Sequence, residues 1–376
     1  MSSIKYIGEH LLAGQLGHLA IVIGFIASLF SFICYQIAQK NRNNPQSDSW
    51  LKLGRWAFYL QSISVFVIIS TIFVMMTNQF YEYEYVRLHV SDQLPMKYVA
   101  AAFWEGQEGS FLLWMFWHTI LGLVAVRFSG KWESGVLGTL VLIQVFLYSM
   151  ILGVYLPFTD IKFGSSPFLL VRDIMDAPIF AKADYVSLLK GNGLNPLLQN
   201  YWMTIHPPTL FLGFASVTMP FAYAVAALQR KDYSDWLKNV MPWALFSAAI
   251  LGTGILMGGA WAYEALSFGG YWAWDPVENM SLVPWLILLA GIHTNLIASA
   301  TGHSIRAVFG FYLLSFCLVV YSTFLTRSGV LGDTSVHAFT EMGLESQLLL
   351  FLLFYCLYSL YLYIRNFKSI TRPAKE

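Results

Sequence analysis

The amino-acid sequence predicts an all-α protein, a polytopic integral membrane bundle of about nine transmembrane helices. Of its 376 residues, 57% are hydrophobic and only 11% are charged, whereas soluble domains carry about 25% charged residues. The apolar residues form runs of roughly 17–25 residues, the length that crosses a hydrocarbon layer of ~30 Å. None of these runs alternates in the manner of a strand, so a helical bundle is favoured over a barrel.

The apolar runs also set the organisation of the chain. They fall at 14–38, 56–77, 109–127, 134–154, 207–228, 242–260, 285–300, 306–326 and 346–364. Because no stretch between them has the size of a soluble domain, residues 1–376 are predicted to form a single integral membrane domain. The longer connections are residues 78–108, 155–205 and 327–345, together with a tryptophan-rich loop at 261–285.

Basic residues predict the orientation of the bundle. One alternating set of loops holds 14 of the 22 Lys and Arg residues but only 5 of the 21 acidic residues. Cytoplasmic loops carry such an excess of basic residues, so the N-terminus is predicted outside, the C-terminus inside and the tryptophan-rich loop outside. The first apolar run has no basic segment before it and no small-residue cleavage site after it, which favours a retained helix over a signal peptide.

Several functional classes find no support in the sequence. The three cysteines, Cys34, Cys317 and Cys356, are far apart and form no C-x-x-C motif, which argues against disulfide exchange. No P-loop is present, nor a G-x-G-x-x-G motif after a strand. The basic loops are topology signals, so no nucleic-acid partner is predicted.

The tryptophan-rich loop is the most informative segment of the chain. Residues 269–285 read GGYWAWDPVENMSLVPW. The run holds three indoles and three short polar side chains: Trp272, Trp274, Trp285, Asp275, Glu278 and Asn279. A broad aromatic platform at a membrane edge suits a large, flat, amphipathic ligand. We expect the polar side chains to hydrogen-bond the backbone of the loop and to fix its shape.

Two histidines in the outer segments are candidate metal ligands. His206 precedes Pro207 and Pro208, which predicts a position at the outer N-terminus of the fifth span, where the helix dipole favours neutral imidazole. His337 lies in the last outer loop, after Arg327. Imidazole ligates haem iron, and guanidinium pairs with carboxylates such as haem propionates. Taken singly, a capping or loop histidine is the alternative for each.

Two further histidines lie at membrane depth. His293 is about nine residues below Pro284 in the seventh span, and His118 is about nine residues below Gly109 in the third. A facing pair would ligate a second, b-type haem between helices. A helix–helix hydrogen bond to Ser, Thr or a carbonyl is the alternative for each.

The motifs together resemble one family, the CcmF-type haem lyase subunits of the cytochrome c maturation system, which share the tryptophan-rich "WWD" loop with other haem-handling membrane proteins. The resembling segments are Glu105–Trp114, Gly193–Gln199, Ile205–Pro208, 269–285, Ile292–Asn295, Arg327–Val330 and Ser335–Phe339. They occur in the family's order from about residue 14 to 365. The chain resembles a short or split form, because the family continues with further helices.

The resemblance implies a site and its partners. His206 and His337 would be paired ligands of an outer haem beside Trp272, Trp274, Asp275 and Trp285, and His293 would ligate an internal b-type haem. The outer haem would arrive from a CcmE-like chaperone and be attached to the thiols of apocytochrome c, which a CcmH-like partner keeps reduced. The membrane implied is the cytoplasmic membrane of a bacterium, with the active face outside.

The family supplies the second internal histidine from the part that this chain lacks. The resemblance therefore leaves three alternatives: a separate chain completes the site, the sequence is a piece of a longer protein, or the site is rebuilt here, for which His118 is the candidate. Catalysis would rest on proximity and orientation, with no side-chain nucleophile or general base. A haem transporter or exporter and a quinol-linked b-haem electron-transfer subunit remain alternative functions.

Overall fold

The computed structural model describes residues 5–155, 162–265, 270–332 and 343–370. Within these ranges, nine helices are long and apolar enough to cross a membrane, and each contains or overlaps one predicted run. The nine spans are α1 (Leu11–Lys40), α2 (Gln46–Thr77), α5 (Gln107–Phe128), α6 (Glu133–Met150), α8 (Tyr201–Arg230), α9 (Trp236–Ala265), α10 (Pro276–Thr301), α11 (Ile305–Arg327) and α12 (Glu345–Asn366). The predicted all-α polytopic fold is confirmed.

The connections that are long in sequence contain short elements of their own. These are α3 (Glu84–His89), α4 (Met96–Glu105), α7 (Val171–Ile174), and an antiparallel pair of two-residue strands, β1 (Val154–Tyr155) and β2 (Lys162–Phe163). They cover the end of the bundle at which α1 begins. We call this end the outer end, because the charge pattern predicts that it faces outside; that orientation stays a prediction.

The tryptophan-rich loop is shorter than predicted. Residues 261–265 complete α9, and α10 already begins at Pro276, so residues 276–285 are helical. The apolar run at 285–300 underestimates this span because its first turns carry Glu278, Asn279 and Ser281. Polar side chains at the start of a spanning helix hide its true N-terminus from a hydropathy window.

Glycines let α1 pack closely against aromatic side chains. At Gly17 and Gly24 a Cβ atom would overlap the rings of Phe168 and Tyr148. Tyr148 cannot easily withdraw, because it is fully buried and its hydroxyl donates to the carbonyl of Gln61 at 3.0 Å. Small residues allow such close approach between helices. In a membrane this matters because helix association depends on van der Waals packing and hydrogen bonds, and the hydrophobic effect does not contribute.

A second close approach joins α8 to α9, and we call it the glycine seam. Three pairs face one another along it: Gly213 with Leu251, Leu210 with Gly254, and His206 with Gly258. A Cβ atom on the glycines would come within 2.7 Å of Leu251 Cα, 3.0 Å of Leu210 Cα and 2.9 Å of His206 Cε1. The spacing of these positions places them on one face of each antiparallel helix, so the seam brings His206 against α9.

Two glycine substitutions should have opposite effects on stability. Gly24→Ala overpacks the contact with Tyr148 and should destabilise the chain by about 1–3 kcal/mol. Gly310→Ala, in α11, meets nothing within 4 Å and should stabilise it by about 0.5–1 kcal/mol, because alanine restricts the unfolded chain. Thermal unfolding in detergent measures both. Equal effects of the two changes would show that the packing of Gly24 is unimportant.

Candidate functional site

A cavity at the outer end collects several of the predicted site residues. It contains about 1110 Å³ of empty space, part of it open to solvent, and it lies between α5, α8, α9, α10 and α11. His206, Trp272 and Arg327 all line it. These three residues come from distant parts of the sequence, so the fold brings them together at one cavity.

His206 lies inside α8 rather than at its N-terminus, which corrects the sequence prediction. The helix begins five residues earlier, at Tyr201, and the side chain of Asn200 caps it by accepting from the Met203 N–H at 3.2 Å. Pro207 and Pro208 are therefore internal, and Pro207 cannot donate to the carbonyl of Met203. The indole N–H of Trp104 donates to that carbonyl instead, at 2.8 Å.

The imidazole of His206 is held against α9. It faces Gly258 in the glycine seam, and its ring meets the indole of Trp261 edge to face, with centroids 5.6 Å apart. Trp261 also lines the cavity. No motif in the sequence marks Trp261 as a site residue, although its spacing of three residues from Gly258 places both on one face of a helix.

The polar residues of the tryptophan-rich loop hydrogen-bond its backbone, as predicted, and two of them also cap α10. Asp275 is the N-cap and accepts from the Val277 N–H at 2.8 Å. Glu278 reaches back to the N–H groups of Ala273 and Asp275, at 2.9 and 3.2 Å. This reciprocal arrangement is a capping box. The amide of Asn279 donates to the carbonyl of Trp274 at 3.2 Å.

The three predicted platform indoles do not form one shelf. Trp272 lines the cavity of His206, and it also borders a second, apolar groove between α9 and α10. Trp274 and Trp285 line only that groove. The indole of Trp285 donates to the Ala248 carbonyl at 2.8 Å, so it joins α10 to α9. The groove and the cavity share Trp272 and Ile255.

Trp274 has an unusual backbone conformation. Its φ is +56°, in the left-handed region that bulky residues rarely adopt, and its side chain is 70% exposed. Such residues cost about 1–3 kcal/mol and persist where the surroundings fix them. Here the capping box and Asn279 hold the residues on either side.

Arg327 is the last residue of α11 and is only 7% exposed. Its guanidinium lies over the ring of Phe111, 5.3 Å from the centroid. Cation–π contact and burial fix a guanidinium in place, and here it is fixed at the wall of the cavity. The predicted second ligand, His337, lies outside the described residues.

A polar contact beside the cavity helps to fix α4 against α3. His89 Nε2 lies 3.1 Å from a carboxylate oxygen of Glu105, and its Nδ1 lies 2.6 Å from the Tyr85 carbonyl. Burial raises the pKa of Glu105, and the neighbouring His89 opposes that rise. The contact stabilises the segment that carries Trp104 to α8.

The structure shows different surroundings for His118 and His293, the predicted pair of internal ligands. His118 is 0% exposed, and its Nε2 lies 2.9 Å from the Thr218 hydroxyl, so it makes a contact between α5 and α8. His293 lies on an exposed face of α10, where its Nδ1 is 2.8 Å from the Leu289 carbonyl. A fully enclosed imidazole leaves no room for a porphyrin, so the interhelical hydrogen-bond alternative holds for His118.

Comparison with known proteins identifies the family. Residues 104–331 match the family described as cytochrome C assembly protein. The chain belongs to the cytochrome C assembly protein family. The matched segment contains Trp104, the whole of α8 and α9, the tryptophan-rich loop and Arg327, which are the elements that build the cavity. The resemblance inferred from the sequence motifs is confirmed.

Individual relatives agree with this. The chain is 31% identical to the cytochrome c-type biogenesis protein CcmF of Haemophilus influenzae, over 87% of this chain and 47% of that protein. It is 34% identical to the protein of the same name from Pseudomonas aeruginosa, over 87% of this chain and 46% of that protein. The solved structure titled "Cytochrome c Heme Lyase CcmF" matches 94% of this chain and 51% of its own, with a TM-score of 0.73 and 27% identity. The chain thus spans about half the length of these relatives.

Removing the indole N–H of Trp104 should loosen the start of α8. In Trp104→Phe the carbonyl of Met203 loses its donor, at a cost of about 1–3 kcal/mol. We expect a lower thermal transition and faster hydrogen exchange over residues 203–210. Trp56→Phe, at an indole that is 71% exposed, is the control and should leave both unchanged. If exchange in α8 did not change in Trp104→Phe, this hydrogen bond would not support the helix.

Proposed function

We propose that the chain is the membrane subunit of a cytochrome c haem lyase, and that it holds haem at the outer end for attachment to apocytochrome c. The observation that carries the proposal is the single cavity lined by His206, Trp272 and Arg327. An imidazole, an indole and a guanidinium suit the iron, the macrocycle and the propionates of haem. In this proposal His337 is the second axial ligand.

The substrate supplies the reactive groups. Thioether formation adds a cysteine S–H across a haem vinyl group, so that a C–S bond forms and the hydrogen goes to the other vinyl carbon. This addition needs no nucleophile or general base from the chain. The chain's contribution is orientation: His206 fixes the iron, Trp272 packs against the porphyrin and Arg327 pairs with a propionate.

The same proposal includes partners. A membrane-anchored haem chaperone of the CcmE kind delivers haem, and a CcmH-like protein keeps the apocytochrome thiols reduced. The membrane is the cytoplasmic membrane of a bacterium, and the cavity opens on its outer face. Support comes from the basic loops, which predict the opposite end as cytoplasmic.

The second part of the proposal concerns an internal haem site at His293. An exposed imidazole at membrane depth is costly unless other protein covers it, and no second histidine accompanies it among the described residues. We therefore propose that helices from a further polypeptide segment or a second chain cover this face of α10 and supply the other ligand of an internal haem. His118 is not part of this site.

Substitution of the histidines tests the outer site. We expect His206→Ala and His337→Ala each to reduce the haem bound at the outer end, seen as loss of absorbance in the reduced spectrum of the purified chain. His118→Ala is the control and should leave bound haem unchanged. Loss of haem in His293→Ala alone would reject the outer site, since that residue lies outside the cavity.

A subtler substitution tests the geometry of His206. In Gly258→Ala the new Cβ would come within 2.9 Å of His206 Cε1, so the imidazole must move and the ligation of iron should change. We expect a shifted haem spectrum and an affinity lower by about 10-fold, equivalent to about 1.4 kcal/mol. Gly310→Ala, with open space around it, is the matched control. An unchanged spectrum in Gly258→Ala would contradict ligation by His206.

A further inference from the structure

The cavity of His206 is lined by an unusual set of hydrogen-bond donors. Trp114, Trp261 and Trp272 all line it. The indole nitrogen of each is buried and has no acceptor among the residues that the structure describes. Trp114 is only 2% exposed. An indole N–H can only donate, and a buried donor without an acceptor is destabilising.

The side-chain hydroxyl groups in the cavity wall already have acceptors. The hydroxyl groups of four lining residues each donate to a backbone carbonyl; they are Ser281, Ser322, Thr323 and Thr326. The carboxylate of Glu278 accepts from two N–H groups of the tryptophan-rich loop. Among the described residues of the wall, the indole N–H groups therefore lie beside the guanidinium of Arg327, and the carboxylate of Glu278 is engaged by the loop.

Convergence on one cavity distinguishes these three indoles. Two more buried indole nitrogens lack an acceptor among the described residues, those of Trp117 and Trp132, and neither residue lines the cavity. Other indoles find acceptors on neighbouring elements, as Trp104 and Trp285 do. A single buried donor without an acceptor only reduces the stability of the fold. Three such donors on residues that line one cavity, beside a guanidinium, suit a ligand that is rich in hydrogen-bond acceptors.

We propose that Trp114, Trp261, Trp272 and Arg327 form a carboxylate subsite that recognises the free propionates of the porphyrin. This inference rests on the proposed function and deepens it. Carboxylate oxygens are acceptors only, and each carries two lone pairs, so two propionates accept from three indoles and one guanidinium at once. The subsite makes the free acid of the porphyrin the substrate and excludes macrocycles whose carboxylates are blocked.

Iron-free porphyrins test the subsite separately from iron ligation. Protoporphyrin IX and its dimethyl ester share one macrocycle and differ in the propionate charges. We expect the full chain in lipid nanodiscs to bind the free acid at least 10-fold more tightly than the ester, measured by quenching of tryptophan fluorescence. Empty nanodiscs give the partition of each porphyrin into lipid, which is subtracted.

Substitution by phenylalanine removes one N–H and keeps an aromatic ring. In Trp114→Phe and Trp261→Phe, the preference for the free acid over the ester should fall by about 3- to 10-fold each, while affinity for the ester stays unchanged. Trp117→Phe removes an unsatisfied indole N–H that does not line the cavity, and it should keep the full preference. Thermal unfolding confirms that each variant is folded.

Each alternative outcome has a distinct meaning. Equal binding of acid and ester by the unaltered chain would overturn the subsite, and so would an equal loss of preference in Trp117→Phe. If neither porphyrin nor haem bound at the outer end, the proposed function itself would fail. If the acid were preferred but Trp114→Phe and Trp261→Phe kept that preference, recognition would rest on Arg327 alone and the indole assignment would be wrong.

Discussion

The candidate site depends on how closely α8 approaches α9. Glycine at positions 254 and 258 removes the side chains that would keep the helices apart, so Leu210 and His206 pack directly against the α9 backbone. These contacts recur along one face of each helix. If α8 slid or rotated against α9, several side chains would clash with the facing backbone at the same time. The orientation of His206 is thus a property of the whole seam. The cavity opens where the seam ends at the outer end of the bundle.

In the tryptophan-rich loop, the carboxylates hold the backbone and the indoles line the neighbouring cavity and groove. Its carboxylates hold the backbone: Asp275 and Glu278 satisfy N–H groups that would otherwise be exposed at the start of α10. Its indoles face away from that backbone in two directions, with Trp272 towards the cavity and Trp274 towards the groove between α9 and α10. Keeping the carboxylates engaged with N–H groups also limits their repulsion of an anionic ligand.

Much of this architecture could be predicted from the sequence, because hydropathy and capping act locally. The nine spans, and the hydrogen bonds of Asp275 and Glu278 to the backbone of the loop, followed from length, composition and residue type. The orientation of side chains around each span did not, because helices that are apolar on every side carry no pattern to mark the buried face. This is why His118 and His293, similar in depth, were paired although one is enclosed and the other faces outward. Trp114 and Trp261 were missed for the same reason, since an indole in an apolar helix signals packing until its neighbours are known.

Polar side chains in this bundle find hydrogen-bond acceptors either in their own helix or on another element. This difference explains why the indoles are informative about the candidate site. Hydroxyl groups of Ser and Thr reach the carbonyl three or four residues earlier in their own helix, as Thr326 does. The indole N–H groups of Trp104 and Trp285 instead reach carbonyls on other helices. Two carbonyls that proline leaves without a helical donor accept from other elements: Met203 from the indole of Trp104, and Met280 from the hydroxyl of Ser322, which also reaches Leu318 in its own helix. The three indole N–H groups of residues that line the cavity of His206 have no such acceptor among the described residues. Their presence there indicates a ligand that is rich in hydrogen-bond acceptors.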